Sequence, residues 1–391
     1  MKVLFATSEA APFIKTGGLG DVCGALPKAL AEEGVDARVI LPLYTCIDHT
    51  LKTQMKFLGS FDVSISWRKT YCGVFTATVG KVIYYFIDNE QYYNRPNVYG
   101  EYDDSERFAF FSKAVLDMLN MVDFFPNIIH INDWQTSLLP VYLNAFYRSD
   151  SRYASIKTVL SIHNIEFQGK YNPIILGSIF GLDINYRSLL LYDGDINLLK
   201  GGIEAADMVT TVSKTYADEI LSPEFSFGLH NILHPRKYKL RGVVNGIDTT
   251  VFNPATDPHI ARNYTYETIR FKSFNKKQLQ KEMFRRSHFP RRALDPQQAH
   301  FEFIRGNAEL VPLEQAEGRI AVEGALPYPP GVLCCVPGEV WGNSVLQYFL
   351  ALEEGINRCP GFAPELQGVY IQKDPDGRKR AYGYVLTKER T

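Results

Sequence analysis

Continuous apolar runs alternate with amphipathic stretches along the first 258 residues. Residues 1–8 form an apolar run with polar ends, which is typical of a buried parallel strand. Similar runs at 37–42, 127–131, 157–162 and 206–212 predict further strands, and 103–120 predicts an amphipathic helix. This alternation predicts an α/β fold with a doubly wound parallel sheet. The first helix should face that sheet with an apolar stripe consisting of Leu19, Val22, Cys23, Leu26 and Leu30.

Other parts of the pattern depart from this alternation. Residues 59–78 and 81–88 alternate polar and apolar positions, which predicts hairpins inserted on the sheet scaffold. Residues 259–288 are rich in Lys and Arg and are interpreted as a basic linker. In residues 289–391 no strand–helix alternation returns, so we expect a smaller α+β domain there. The predicted domains are therefore 1–258 and 289–391, joined by 259–288.

Composition narrows the function classes. The chain has 391 residues, 46% of them hydrophobic, and a formal net charge of −1, so two domains are expected and neither nucleic acid nor a membrane is expected as a partner. No signal peptide or membrane-spanning run is recognised, which makes the cytoplasm the expected location. The six cysteines lack metal-ligand spacing and are expected to be reduced residues of the core.

A glycine-rich stretch, residues 15–22, lies between the first strand and the first helix. Gly17 and Gly18 carry no Cβ to block a ligand, and the free N–H groups at a helix start favour an anion. Lys15 adds a positive charge suited to a diphosphate, and Asp21 lies in the first helical turn. The stretch predicts a phosphate site, although a plain tight connection is the alternative and Asp21 could serve only the helix.

The same stretch also approximates a dinucleotide-binding fingerprint. Gly18, Gly20 and Gly24 supply the glycines, and Asp36 lies where a ribose-binding acid could follow. In that fingerprint the glycines come directly after the strand, whereas residues 9–14 intervene here. The nicotinamide interpretation therefore receives less weight than the phosphate site.

Polar residues follow two neighbouring predicted strands. Asp133 comes just after the run at 127–131, and His163 follows the run at 157–162. Open α/β sheets bind ligands at the carboxyl ends of their strands, so both side chains are candidate site residues. A histidine such as His130 or His163 can equally be a hydrogen-bonded structural residue. Residues 241–244 lead into Asn245 and Gly246, which predict a turn.

Together these residues give residues 1–282 a specific resemblance to the N-terminal half of bacterial glycogen synthases and plant starch synthases. The resemblance is distributed over several stretches. They are 15–22, Tyr99-Gly100, Asp104–Phe108, 132–136, 162–164, 211–213 and 245–248.

The resemblance implies a retaining glucosyltransferase that moves glucose from ADP-glucose to the 4-hydroxyl of an α-1,4-glucan. It implies two Rossmann-like domains in a GT-B arrangement, with no metal or other cofactor required. By this similarity Lys15, Gly17 and Gly18 would bind the diphosphate, and Asp133 and His163 would act in the donor sugar pocket. Asp21 and Asn245 would make secondary contacts. Asn132 departs from the family, which commonly has histidine there.

The rest of the chain differs from that family. The second-domain Arg and Lys that hold the diphosphate, and the Glu-Pro-Cys-Gly stretch near the glucose, have no counterpart in this sequence. Residues 289–386 instead resemble the C-terminal domain of bacterial ornithine, lysine and arginine decarboxylases. Those enzymes hold pyridoxal phosphate in a large domain that this sequence lacks, so pyridoxal phosphate is not expected to bind. The stretches that carry this resemblance are 311–313, 317–321, 328–331, 336–339 and 361–366.

Three functions follow as hypotheses. The first is a glycogen synthase type transferase left incomplete, with little activity by itself. The second is a non-catalytic fusion that binds nucleotide or glucan, and the third is an accessory piece of a decarboxylase. In each case faces that normally pack on a missing domain would be exposed, so self-association is expected.

Overall fold

A computed structural model describes residues 1–95, 97–258, 260–275, 290–328, 333–358, 364–373 and 378–387. They belong to two compact units, Met1–Ile247 and Asp248–Thr391. The division lies nearer the N-terminus than the boundary expected at residue 258. Much of the predicted basic linker lies outside the described residues, as do residues 329–331 and 361–363 of the stretches that carry the decarboxylase resemblance.

The first unit is built on one large sheet. Its described strands are β1 (Lys2–Ala6), β2 (Asp36–Pro42), β3 (Lys56–Ile65), β4 (Arg68–Val79), β5 (Val82–Asp88), β6 (Ile128–Asn132), β7 (Lys157–Ile162), β11 (Met208–Thr211) and β12 (Leu240–Gly242). They are ordered β12-β11-β7-β6-β1-β2-β5-β4-β3, and all neighbours from β12 to β5 are parallel. This confirms the predicted doubly wound sheet.

The predicted hairpins are part of this sheet and do not form a separate insertion. β5 pairs in parallel with β2, and β4 and β3 continue the sheet as antiparallel strands. Periodicity indicated the strands but could not show which neighbour they would pair with. A second, three-stranded sheet contains β8 (Lys170–Tyr171), β9 (Leu191–Tyr192) and β10 (Asp195–Asn197).

Helices connect the parallel strands. The two longest in this unit are α1 (Gly18–Glu32), between β1 and β2, and α4 (Asp104–Met121), before β6. The others are α2 (His49–Lys52), α3 (Glu90–Tyr93), α5 (Leu138–Tyr142), α6 (Ser151–Ala154), α7 (Ile175–Ser178), α8 (Arg187–Leu190), α9 (Leu198–Ala205), α10 (Lys214–Glu219) and α11 (His230–Leu233). Ser213 caps α10 by accepting the N–H of Tyr216 at 2.9 Å, as its position predicts.

The buried face of α1 differs from the predicted stripe. Leu26 is exposed, and Pro27 is buried in its place together with Gly20 and Gly24. A Cβ on Gly24 would lie 2.7 Å from the carbonyl oxygen of Ala11. The helix therefore approaches the loop after β1 through its small residues, which a pattern based on large apolar side chains cannot show.

A buried ion pair anchors the start of α4. The Arg107 side chain is fully buried, and its Nη1 contacts Asp104 Oδ1. Arg107 Nε also donates to the carbonyl of Tyr92 at 2.7 Å, while Asp104 Oδ2 accepts the N–H of Gly100 at 2.8 Å. The Asp104–Phe108 motif thus fixes the segment that carries Tyr99.

The second unit is α+β, as expected. Its strands pair in antiparallel fashion, with β17 (Lys379–Leu386) between β13 (Ala308–Pro312) and β16 (Tyr370–Lys373). β14 (Leu326–Tyr328) pairs with β15 (Glu365–Gln367), and the helices are Pro296–Ile304 and Asn343–Arg358. Trp341 and Phe349 lie in the core of this unit. Among the described helices of the whole chain, none has the length and apolar character to cross a bilayer.

Candidate functional site

The carboxyl ends of β1, β6 and β7 form one edge of the large sheet. These strands are neighbours in the order β7-β6-β1, so the segments that follow them lie side by side. The chain from residue 7 onward leads into the glycine-rich stretch 15–22, which is called the glycine loop below. Residue 133 follows β6, and residue 163 follows β7. The edge therefore gathers the three polar segments that the sequence analysis singled out.

The glycine loop leaves open space at the beginning of α1. Gly17 is the N-cap of α1, and a Cβ built on Gly17 or Gly18 would meet no atom within 4 Å other than those of its chain neighbours and of the helix's own backbone. Lys15 Nζ lies 2.8 Å from Asp21 Oδ1, and both side chains are about half exposed. The ion pair with Asp21, a residue of the first helical turn, thus holds the Lys15 ammonium group near the beginning of α1.

Asp36 takes no part in this site. It begins β2, at the amino end of the sheet, and forms an ion pair with Arg38 at 2.9 Å. The glycine loop lies at the carboxyl edge of the same sheet. This geometry argues against a dinucleotide fingerprint.

Glu9 is a residue of this edge that the sequence analysis missed. Its side chain is buried and accepts the N–H groups of Thr16, in a short hydrogen bond, and of Gly17 at 3.4 Å. Thr16 Oγ1 and Tyr99 Oη each donate to Glu9 Oε1 at 3.0 Å. A carboxylate just after a buried strand was the available signal, but its partners lie seven to ninety residues away.

Asp133 has a strained backbone. Its φ of 55° and ψ of −171° are in a region that is almost restricted to glycine, at a cost of about 1–3 kcal/mol. Its Oδ1 accepts the His163 N–H at 2.7 Å. Burial raises the pKa of Asp133, and this effect outweighs the opposing effects of His163 and of two backbone hydrogen bonds. Strain and burial of an acid at a ligand-binding edge are typical of functional residues.

Asn132 connects the segments after β1, β6 and β7. Its Nδ2 donates to the carbonyl of Ala6 at 3.0 Å, which leaves Oδ1 as the acceptor for His163 Nε2 at 3.0 Å. Its own N–H donates to Thr136 Oγ1 at 2.8 Å. Asparagine at this position therefore orients the His163 ring and fixes the proton on its Nε2.

His130 has a structural environment. Its Nε2 lies 2.6 Å from Ser161 Oγ, which in turn lies 2.6 Å from Thr210 Oγ1. Burial, with a smaller effect from His163, lowers the pKa of His130 to about 3, so its ring is neutral. Of the two alternatives left open for this residue, the geometry favours the hydrogen-bonded structural histidine.

A cavity of about 270 Å³ is lined in part by the hydrogen-bonded residues His130, Ser161 and Thr210. His163 and Asn245 both line it, so the structure brings these two predicted site residues together. Lys15, Gly17, Gly18 and Asp133 are not among its lining residues. The apolar part of the wall includes Val22 and Leu26 from α1.

Replacing Asp133 with asparagine is expected to stabilise the chain at neutral pH. An acid whose pKa is raised by folding destabilises the folded state once the pH rises through that pKa. Asp133→Asn removes the buried charge and keeps an oxygen for the His163 N–H. We expect a gain of about 1 kcal/mol in unfolding free energy at pH 7.

Urea denaturation at pH 7 and pH 4 measures this effect. The difference between variant and parent should shrink as the pH falls from 7 to 4, because protonation of Asp133 removes the buried charge from the parent. Asp183→Asn, at an exposed acid that also accepts a backbone N–H, is the matched control and should show no gain. A loss of stability in Asp133→Asn at pH 7 would contradict the interpretation of the raised pKa.

Comparison with known proteins identifies the family of the first unit. The starch synthase catalytic domain family matches residues 2–235, which is more than half of the chain. The chain belongs to the starch synthase catalytic domain family. The C-terminal domain of Orn/Lys/Arg decarboxylases matches residues 277–387, so both predicted resemblances are confirmed.

Relatives of the starch synthase family match over the same region. A glycogen synthase of Clostridium botulinum (strain Eklund 17B / Type B) is 50% identical over 286 residues, which are 72% of this chain and 60% of the relative. A glycogen synthase of Lactobacillus acidophilus is 47% identical, with 72% of this chain and 60% of the relative covered. The chain thus spans about three fifths of the length of these relatives.

A solved structure supports the fold. It is the catalytic domain of starch synthase IV from Arabidopsis thaliana bound to ADP and acarbose, with 33% identity and a TM-score of 0.64. The match covers 78% of this chain and 64% of that one. The first unit is therefore the Rossmann-like first half of a GT-B catalytic domain. In the described part of the chain, no group of three or more His, Cys, Asp or Glu residues is arranged to hold a metal ion.

Proposed function

We propose that the first unit is the N-terminal half of an ADP-glucose-dependent glucosyltransferase of the glycogen synthase type. It would bind ADP-glucose and an α-1,4-glucan and favour transfer of glucose to a 4-hydroxyl with retention. The observation that carries the proposal is the grouping of the glycine loop, Asp133 and His163 at one sheet edge. The glycogen synthase relatives and the ADP in the Arabidopsis structure support it. The reaction would require neither a metal nor pyridoxal phosphate.

The anion-binding part of this site would be the beginning of α1. Glu9 already accepts the N–H groups of Thr16 and Gly17, so a diphosphate would use those at the start of the helix, from Gly18 onward. Lys15 would move from Asp21 towards the phosphate charge, since the two side chains are only half buried. Negative charge that develops on the departing diphosphate would then be stabilised by the helix dipole and one ammonium group.

The sugar-binding part would be formed by Asp133 and His163. The proton on His163 Nε2 is committed to Asn132, and the His163 N–H to Asp133, so both residues are held rigidly at the edge. Rigid polar groups of this kind orient a sugar without reorganisation during the reaction. Asn245, on the cavity wall beside His163, would make a secondary contact.

Replacing Lys15 with alanine is expected to weaken ADP binding about tenfold, which corresponds to the loss of one charge-assisted contact. Glucan binding should be unchanged, because Lys15 is placed on the phosphate side only. Isothermal titration of the full chain with ADP and with a maltooligosaccharide measures both affinities. Lys81→Ala, at an exposed lysine beside the amino end of β5, is the control.

The outcomes separate the hypotheses. Heat from ADP that is lost in Lys15→Ala and kept in Lys81→Ala would support the proposed site. Equal ADP affinities in both variants would contradict the role of Lys15. Absence of heat from both ligands in the parent chain would reject nucleotide and glucan binding altogether. Self-association stays a prediction, which the elution volume in size-exclusion chromatography would test.

A further inference from the structure

The hydrogen bonds of the Glu9 carboxylate join the glycine loop to Tyr99. The Glu9 side chain is 3% exposed. Oε2 accepts two successive backbone N–H groups, those of Thr16 and Gly17, and Oε1 accepts the hydroxyls of Thr16 and Tyr99. Four donors on one buried carboxylate make a connection that is both strong and specific in geometry.

This connection joins three separate segments. Glu9 follows β1, Thr16 and Gly17 lead into α1, and Tyr99 belongs to the segment fixed by Asp104 and Arg107. Ser8 Oγ lies 2.7 Å from Tyr99 Oη and completes the contact on the Tyr99 side. The loop between Lys15 and Gly18 is therefore tied to the sheet and to α4 through one side chain.

A carboxylate at these N–H groups could in principle act in two opposite ways. It could compete with a phosphate for the same donors, or it could hold the loop so that the next donors point at the phosphate. The two N–H groups that Glu9 accepts come before the helix, whereas Gly18 is the first helical residue. Because the helix N–H groups and the space at Gly17 and Gly18 remain open, the geometry favours the holding role.

We propose that Glu9 is a positioning residue that holds the loop from Lys15 to Gly18 in its diphosphate-binding conformation. The inference rests on the proposed function, since it assigns a role at the same anion site. Glu9 itself does not contact the nucleotide in this proposal. It acts through the backbone of Thr16 and Gly17.

The charge of Glu9 gives the test a distinctive pH dependence. Burial raises the pKa of Glu9 above 4.5, and the hydrogen bonds from Thr16, Tyr99 and Gly17 oppose this effect. The titratable groups that face it are Cys23 from α1, Tyr44 after β2 and Tyr99 before α4. Burial raises the pKa of each of these three groups, so they are neutral between pH 5 and 8, and Lys15 and Asp21 contribute the charges on the loop itself.

The first experiment compares ADP affinity of the full chain and Glu9→Gln by isothermal titration from pH 5 to 8. Glutamine has the same size but presents an NH₂ group where an acceptor is needed. If the variant loop is in the binding conformation about a tenth of the time, ADP binds about tenfold more weakly at pH 7.5. The two affinities should converge as the pH falls, because protonated Glu9 also loses its charged acceptor. Asp183→Asn is the control and should bind ADP like the parent at every pH.

Equal or tighter binding by Glu9→Gln at pH 7.5 would overturn the proposal, because Glu9 would then be idle or a competitor of the phosphate. If Glu9→Gln does not fold, Tyr99→Phe replaces it. Removing the hydroxyl that donates to Oε1 should weaken ADP binding about threefold, and an unchanged affinity would count against the holding role.

A second measurement needs no ligand. Amide NMR signals of Thr16 and Gly17, in protein labelled with ¹⁵N-threonine and ¹⁵N-glycine, should shift as Glu9 titrates and should not do so in Glu9→Gln. A titration that is absent from the parent would overturn the contact. If the parent gives this titration but no heat with ADP, the proposed function fails and with it the assignment of the loop to a diphosphate, whereas the contact itself stands.

Discussion

Arg107→Met is expected to remove about 3–5 kcal/mol of unfolding free energy, which is a large part of the stability of a typical domain. The Arg107 side chain is fully buried, so its loss would leave the Asp104 carboxylate in the interior without its ion pair. The carbonyl of Tyr92 would also lose a donor at 2.7 Å. Burial already raises the pKa of Asp104 in the intact pair, which shows how unfavourable this site is for a lone charge.

Urea denaturation of the parent and the variant at pH 7 measures the loss. Arg152→Met is the matched control, because Arg152 pairs with Asp150 at the surface, where solvent screens the ion pair and its loss should change the stability little. Asp104→Asn combined with Arg107→Met should be less unstable than the sum of the single changes, since the unpaired charge is gone. A loss below about 1 kcal/mol in Arg107→Met would show that the ion pair does not anchor α4.

The second large effect concerns transfer. We expect this chain to elongate a glucan from ADP-glucose at least a hundredfold more slowly than the Clostridium botulinum relative. One well-placed charge or donor on a developing anion is worth about 3 kcal/mol, or a hundredfold in rate. In the matched region Lys15 is the lysine placed at the anion site, while the sequence after residue 282 resembles a decarboxylase domain and has no counterpart of the second-domain Arg and Lys.

Incorporation of labelled glucose into a maltooligosaccharide, with both proteins side by side, measures the ratio of rates. A chimera in which residues 283–391 are exchanged for the remaining part of the relative is the control, and it should recover most of the rate. Asp133→Ala in that chimera should abolish the recovered activity if Asp133 acts in the sugar pocket. If the unaltered chain transfers glucose at a rate within tenfold of that of the relative, the Arg and Lys of a second domain are not needed for the reaction.

Local patterns in the sequence determined the architecture of the first unit. The runs that form β1 to β7 and β11, together with α1 and α4, were predicted, because each depends on the spacing of apolar residues. The short strands β8, β9, β10 and β12 were not among the predicted strands. The polar ends of β6 and β7 could also be placed at one edge, since the parallel order follows from the alternation of strands and helices. The motifs added the family and the second resemblance in the C-terminal part.

Tertiary structure alone decided the points that depend on partners distant in the chain. Glu9 looks like any loop acid until the N–H groups of Thr16 and Gly17 and the hydroxyl of Tyr99 are brought around it. The burial of Pro27 in place of Leu26 depends on how closely α1 approaches the loop after β1, and the positive φ of Asp133 on the tight turn out of β6. Sequence periodicity indicates which side chains are buried. The features above depend instead on tertiary contacts between segments that are distant in the sequence.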